Sequence, residues 1–171
     1  LFASAYYTAY SYIEPFLAQV AKLSNNSITL VLSLFGVAGI GGSYLFSKFY
    51  NLNRKRFILI SLFCLTIVLF VLKPSTASII TLLLICVVWG MSSTAFNVAC
   101  QSETILVTNE QTSSIAMSIF SGIFNLGIGL GSFIGGQTIN ILNIQSIGYI
   151  AGIIGILSVI FYITRYESVL E

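Results

Sequence analysis

Arg54-Lys55-Arg56 is followed by Phe57-Ile58-Leu59-Ile60-Ser61-Leu62-Phe63-Cys64-Leu65-Thr66-Ile67-Val68-Leu69-Phe70-Val71-Leu72, and the run stops at Lys73. No position from 57 to 72 is charged, and the polar side chains among them are small. Backbone crossing hydrocarbon must satisfy its own N–H and C=O groups, which only a helix or a closed barrel achieves. The run is too long for a barrel strand and lacks the alternation of two that such a strand shows. A transmembrane helix over about 57–73 follows, with basic residues holding its ends at the water interfaces. Outward from it, the same reading predicts spans over about 1–20, 28–48, 77–100, 113–140 and 146–164. The breaks fall at Lys22–Ser27, Phe49–Arg56, Lys73–Ser78, Gln101–Thr112 and Asn143–Ser146. The expected fold is all-α, an integral membrane domain over 1–171 with six transmembrane helices.

Composition agrees. Of 171 residues, 57% are hydrophobic and 7% charged, with a mean hydropathy of +0.98, whereas a soluble domain carries about a quarter charged residues. The chain has no His and no Asp, which removes histidine-based metal sites and Ser-His-Asp triads. An intramembrane enzyme is the weakest functional class, because no nucleophile and base can be paired. The net charge of +2 is scattered, so there is no nucleic-acid footprint. Cys64, Cys86 and Cys100 sit singly in apolar runs and read as small hydrophobes. The chain starts at Leu1 with neither a basic n-region nor a cleavage site, so it is expected to begin inside a longer protein.

Short basic loops face the cytoplasm. Lys48, Arg54, Lys55, Arg56 and Arg165 fall on one side of a six-span arrangement, and Lys22 and Lys73 on the other. The C-terminus is therefore expected in the cytoplasm. The six spans also group as two triplets. The first of each is the most polar, the second is glycine-rich and the third is uniformly apolar. Two inverted three-helix repeats form a transporter architecture, with the first helices lining a cavity and the third facing lipid.

Candidate ligands follow from faces. At about 100° per residue, Tyr7, Tyr10 and Glu14 fall on one side of the first helix, and Pro15 can kink it. Glu14 has two readings: a carboxylate facing a cavity, or one snorkelling to water beside tyrosines of the aromatic belt. In span four, Ser93, Asn97 and Gln101 stack at intervals of four and should face the bundle interior. Trp89 is either a stacking platform or an interfacial anchor, and Glu103 and Glu110 read as solvated loop acids. Span five carries a small polar stripe that includes Ser118, Ser121, Gly122, Asn125, Gly129, Ser132, Gly136 and Asn140. Its separate Gly127-Gly131-Gly135 ridge suits close helix packing. Asn125 is the best candidate ligand there.

Tyr10-Ser11-Tyr12-Ile13-Glu14-Pro15-Phe16 resembles the seventh helix of bacterial sugar efflux transporters of the major facilitator superfamily, the arabinose and thiogalactoside exporter group. Phe120-Ser121-Gly122-Ile123-Phe124-Asn125, with Gly127 and Gly129 and then Gly148-Tyr149, resembles their eleventh and twelfth helices. The likeness runs along the whole chain. It implies helices seven to twelve, the C-terminal half of a twelve-helix proton antiporter of the bacterial inner membrane. It also implies a missing N-terminal six-helix half as partner, a sugar as solute, and a proton gradient in place of any cofactor. A drug-antiporter glycine motif maps to Ser118, Gly127, Gly131, Ser132, Gly135 and Gly136, with Ser118 in place of its first glycine and Ser132 in place of its proline. The cytoplasmic-loop motif keeps Gly42 and Arg54-Lys55-Arg56, while Tyr50 stands near the position of its usual acid.

Under that resemblance Tyr7, Tyr10, Glu14, Asn97 and Asn125 would contact substrate. Ser93, Gln101, Ser121, Gly122, Gly129 and Ser132 would line or gate the cavity. Two rivals remain: a multidrug or small-metabolite exporter, whose neutral cargo suits the same uncharged cavity, and a structural membrane subunit that transports nothing.

Overall fold

The computed structural model describes the backbone of residues 1–167 and the side chains of 1–165. The Glu167 side chain and Glu171 lie outside the described residues. Among the described residues seven α-helices follow one another: α1 Phe2–Tyr10, α2 Ile13–Gln19, α3 Asn25–Phe49, α4 Arg54–Ser75, α5 Ile79–Leu106, α6 Glu110–Ile141 and α7 Ile147–Glu167. Short 3-10 turns, Tyr50–Leu52 and Ile144–Ser146, lead into α4 and α7. There is no strand among the described residues. The five helices α3 to α7 are long and apolar enough to cross a membrane.

The sixth expected span, 1–20, is corrected: it is two short helices rather than one. Pro15 has no N–H to give to the carbonyl four residues back, and its ring crowds that carbonyl. The ladder therefore closes early, with Ser11 N bonding Tyr7 O at 3.3 Å and Tyr12 N bonding Ala9 O at 3.1 Å. Tyr12 leaves helical geometry at φ −122°, ψ 18°, and α2 starts afresh with Pro15 in its first turn, where no amide partner is needed. Phe16 N to Tyr12 O, 3.0 Å, is among the first bonds of the new helix.

Other boundaries run past the expected ones. Three side-chain caps fix helix starts: Ser24 accepts from Ser27 N, Asn53 from Arg56 N and Asn109 from Thr112 N. Arg54, Lys55 and Arg56 thus form the first turn of α4 rather than a loop. The expected break Gln101–Thr112 shrinks to residues 107–109, because α5 continues to Leu106 and α6 begins at Glu110. Glu103 is accordingly a helix residue. The buried Tyr50 hydroxyl donates to its Oε1 at 2.6 Å, so Glu103 is a partnered acid and not merely a solvated one.

α5 packs on α3 and α4, α1 packs on α6 and α7, and α4 packs on α7. The core along these seams includes Phe16, Leu17, Leu62, Leu65, Leu69, Leu72, Leu82 and Trp89, all essentially inaccessible. Two seams are close: α3–α5, where a Cβ on Gly42 would lie 2.3 Å from Met91 O, and α1–α6. A Cβ on Gly131 would lie 2.5 Å from Ser4 O, and one on Gly135 would lie 2.5 Å from Thr8 O. Only glycine lets the two backbones meet at that separation. Long stretches of side chain stay exposed on the outer faces, among them Ile60, Ile80, Ile123 and Phe133. In a membrane these face lipid tails, where exposure carries no penalty.

Candidate functional site

The site begins with an aromatic ladder. Phe2, Tyr6 and Tyr10 are four residues apart and therefore lie on one face of α1. Tyr6 stacks on Tyr10 with ring centroids 4.9 Å apart, and Phe2 stacks on Phe96 of α5 at 4.1 Å. Tyr7, one position round, meets Tyr6 edge-on at 4.9 Å and Phe124 of α6 at 6.4 Å. Behind the ladder, Trp89 of α5 sits edge-on to Tyr6 at 5.9 Å and to Phe35 of α3 at 5.5 Å. Trp89 is fully buried, which excludes the interfacial-anchor reading. Its Nε1 is a buried donor with no hydrogen-bond partner among the described residues. Such a donor costs about 1–3 kcal/mol until an acceptor or a water reaches it.

In front of the ladder lies a cleft of about 200 Å³ between α1, α5 and α6. Its walls are Phe2, Tyr6, Tyr7, Ser93, Thr94, Asn97, Val98 and Phe124. No charged group among the described residues lines it. The Asn97 Oδ1 accepts from Gln101 Nε2 one turn on, which leaves the Asn97 amide nitrogen as a donor toward the cleft. Ser93 is turned back onto its own helix, donating to Gly90 O at 3.1 Å. The walls can stack a flat or apolar face against aromatic rings and offer a few neutral hydrogen bonds. They cannot neutralise an ion.

The structure thus brings Tyr7, Ser93 and Asn97 into one cleft, with Tyr10 in the aromatic packing beside it and Gln101 holding Asn97. It separates Glu14 from them. The break at Ser11–Tyr12 resets the helical phase, and Glu14 opens onto a different recess of about 540 Å³ with Asn25, Ile28, Thr29, Leu32 and Ser33 of α3. Ser132 belongs to the α1–α6 seam. Its hydroxyl lies 2.7 Å from that of Ser11, and its carbonyl accepts from Tyr12 OH at 2.9 Å. Thr8 Oγ1 donates to Ser4 O on its own helix at 2.7 Å and comes within 3.2 Å of Gly131 O across the same seam. Gly127, Gly131 and Gly135 are buried against Ala3, Ser4, Thr8 and Tyr12. Ser121, Gly122, Asn125 and Gly129 are exposed on the far side of α6, where a Cβ on Gly122 or Gly129 would meet nothing within 4 Å.

Sequence reasoning passed over Phe2, Tyr6, Thr94 and Phe124 as wall residues. For α1 the signal was present in the four-residue spacing of Phe2, Tyr6 and Tyr10. Thr94 and Phe124 carry no such signal, because each is placed by the partner helix it faces.

The model of the Major Facilitator Superfamily matches residues 1–170. The chain belongs to the Major Facilitator Superfamily. Members of this family are membrane transporters, not enzymes. Curated relatives named "Probable sugar efflux transporter" are similar along nearly all of the chain. The protein from Mannheimia succiniciproducens is 37% identical over 166 residues, 97% of this chain and 42% of that protein. Those from Haemophilus influenzae and Helicobacter pylori are each 36% identical, covering 95% and 91% of this chain and 41% and 39% of their own lengths. The chain therefore spans about two fifths of the length of the relatives it matches.

Proposed function

We propose that this chain is the C-terminal six-span half of a proton-coupled exporter that moves sugars, arabinose, thiogalactosides or related solutes, out of a bacterial cell by alternating access. The observation that carries the reading is the uncharged cleft of Tyr6, Tyr7, Asn97 and Phe124, which suits a neutral solute with one apolar face and several hydroxyls. The names of the relatives support sugar as that solute. Tyr7 and Tyr10 would pack against the ring, and Asn97 would bond its hydroxyls.

On this reading α1 and α2 together form the sixth span, broken at mid-membrane where irregular backbone is tolerated only beside a cavity. The helix contacts support an inverted repeat. Take α1 with α2, α3 and α4 as one triplet and α5, α6 and α7 as the other. First packs on second through α1–α6 and α5–α3, first on third through α1–α7 and α5–α4, and third on third through α4–α7. Exchanging the triplets leaves this pattern unchanged.

The exposed small polar face of Ser121, Gly122, Asn125 and Gly129 would turn toward the N-terminal half, completing the cavity that Asn125 then lines. The Arg54-Lys55-Arg56 end and the C-terminus would be cytoplasmic, in the inner membrane. Protons would supply the energy, with no cofactor; Glu14, exposed beside α3, would carry one unless the N-terminal half supplies the coupling carboxylate. The multidrug reading keeps the same neutral cleft, and competition of sugar efflux by apolar drugs separates the two.

The experiment is efflux of a labelled pentose or thiogalactoside from loaded cells expressing the full gene product, with and without Glu14→Gln. Efflux above empty cells that loses its pH dependence with Glu14→Gln supports both sugar export and the proton role. Unchanged pH dependence removes Glu14 from coupling. No efflux despite good expression refutes the sugar.

A further inference from the structure

A third concavity lies apart from the cleft and the Glu14 recess, on the outer side of α5 between α3 and α4, with a volume of about 450 Å³. Phe49 of α3, Ile60 and Cys64 of α4, and Val88 and Met91 of α5 form its walls, and Asn53 and Arg56 stand at its end. The hydroxyl of Ser92 in the wall is already bonded to Val88 O at 2.7 Å, so the interior presents an apolar surface. From Arg56 to Cys64 is eight residues of helix, about 12 Å of rise. That is close to the depth of one hydrocarbon leaflet, about 15 Å. The groove therefore runs from the water interface toward the bilayer centre, which is the path of an acyl chain.

The polar end is basic. Lys48 lies in the last turn of α3 and Arg54, Lys55 and Arg56 form the first turn of α4, while no acidic side chain among the described residues lines the groove. The four cations are placed differently. Arg54 lies over the Tyr50 ring at 5.8 Å, and Lys48 lies over the Phe49 ring at 5.4 Å. Arg56 borders the groove itself. Asn53 caps the first turn of α4 beside it, at the helix end where a negative charge is favoured.

We infer that this groove is a binding site for an anionic phospholipid, with one acyl chain laid between α3 and α4 on α5 and the phosphate held by Arg56. An arginine suits a phosphate because it offers several donors in a planar fork. A basic residue near an anionic membrane surface gains about 1 kcal/mol, which is about a fivefold preference over a lipid with no net charge.

Native mass spectrometry of the full gene product tests this after exchange into equimolar phosphatidylglycerol and phosphatidylcholine with matched chains. The expected result is retained phosphatidylglycerol, about fivefold over phosphatidylcholine. Arg56→Gln should remove that preference, and Arg54→Gln should leave most of it. Ile60→Trp, at a site 61% exposed and so safe for folding, should fill the groove and reduce retention of both lipids. Alkylation of Cys64 should also be slower in phosphatidylglycerol bilayers than in phosphatidylcholine. Equal retention of the two lipids by the unaltered protein overturns the assignment, as it would if another part of the protein covered the groove. A preference that survives Arg56→Gln overturns it too.

Discussion

Gly131→Ala tests whether the α1–α6 seam is set by the absence of a side chain. The added methyl would sit 2.5 Å from the carbonyl oxygen of Ser4 and 3.0 Å from its Cα, and neither atom can swing aside as a flexible side chain would. The helices must separate by roughly 1 Å to restore van der Waals contact at about 3.5 Å. Overpacking of this kind costs about 1–3 kcal/mol. Separation also lengthens the 3.2 Å approach of the Thr8 hydroxyl to Gly131 O, but its proton has the nearer acceptor Ser4 O at 2.7 Å, so this adds less than the roughly 0.6 kcal/mol of a full interhelical bond. At about 2–4 °C of melting temperature per kcal/mol for a chain of this size, Gly131→Ala should lower the midpoint by about 2–12 °C. Gly129→Ala is the control on the same helix, since its Cβ would meet nothing within 4 Å. It should change the midpoint little, or raise it slightly through helix propensity. A thiol-reactive dye read during heating provides the assay, because Cys86 is buried in α5 and becomes available on unfolding. Equal midpoints for the two variants would refute the close-packed seam.

Three further outcomes follow from the same geometry. Pro15→Ala restores an amide at position 15 and removes a residue about 3 kcal/mol poorer than alanine inside a helix; the protein should be at least as heat-stable, while efflux falls because Tyr12 loses its bond to Ser132 O, and unchanged efflux would show that the break is dispensable. Tyr50→Phe removes the 2.6 Å donor to Glu103 and should cost about 1.5 kcal/mol, the low end for a bond to a charged group. In a thermal-shift cycle with Glu103→Gln, additive losses would show that the two groups are uncoupled. Asn97→Ala leaves Gln101 without its acceptor and removes one proposed solute contact; if the proposed sugar is the solute, its half-saturating concentration in counterflow should rise about tenfold, equivalent to 1.4 kcal/mol, with the melting midpoint much less affected.

The apolar runs located α3 to α7 because hydrocarbon thickness fixes how many uncharged residues a helix needs, and that constraint is written in composition alone. It locates the edge of the hydrocarbon, however, and not the end of the helix. Ser102, Glu103 and Thr104 are polar, yet they continue α5 into the interface, so Glu103 reaches Tyr50 where a loop acid would not. The site was legible in the same partial way. Ser93, Asn97 and Gln101 share a face because α5 is unbroken through them, and spacing predicts faces wherever 100° per residue holds. That rule puts Glu14 on the face of Tyr7 and Tyr10, but it does not survive a proline that ends one helix and starts another. Spacing alone does not fix the new phase after such a break, since it depends on what α2 packs against, here Ile28 and its neighbours on α3. The exposed stripe of α6 is the converse case. Its small polar residues are plain in the sequence, yet no helix among the described residues covers them, because the ridge of Gly127, Gly131 and Gly135 turns the opposite side of α6 to α1.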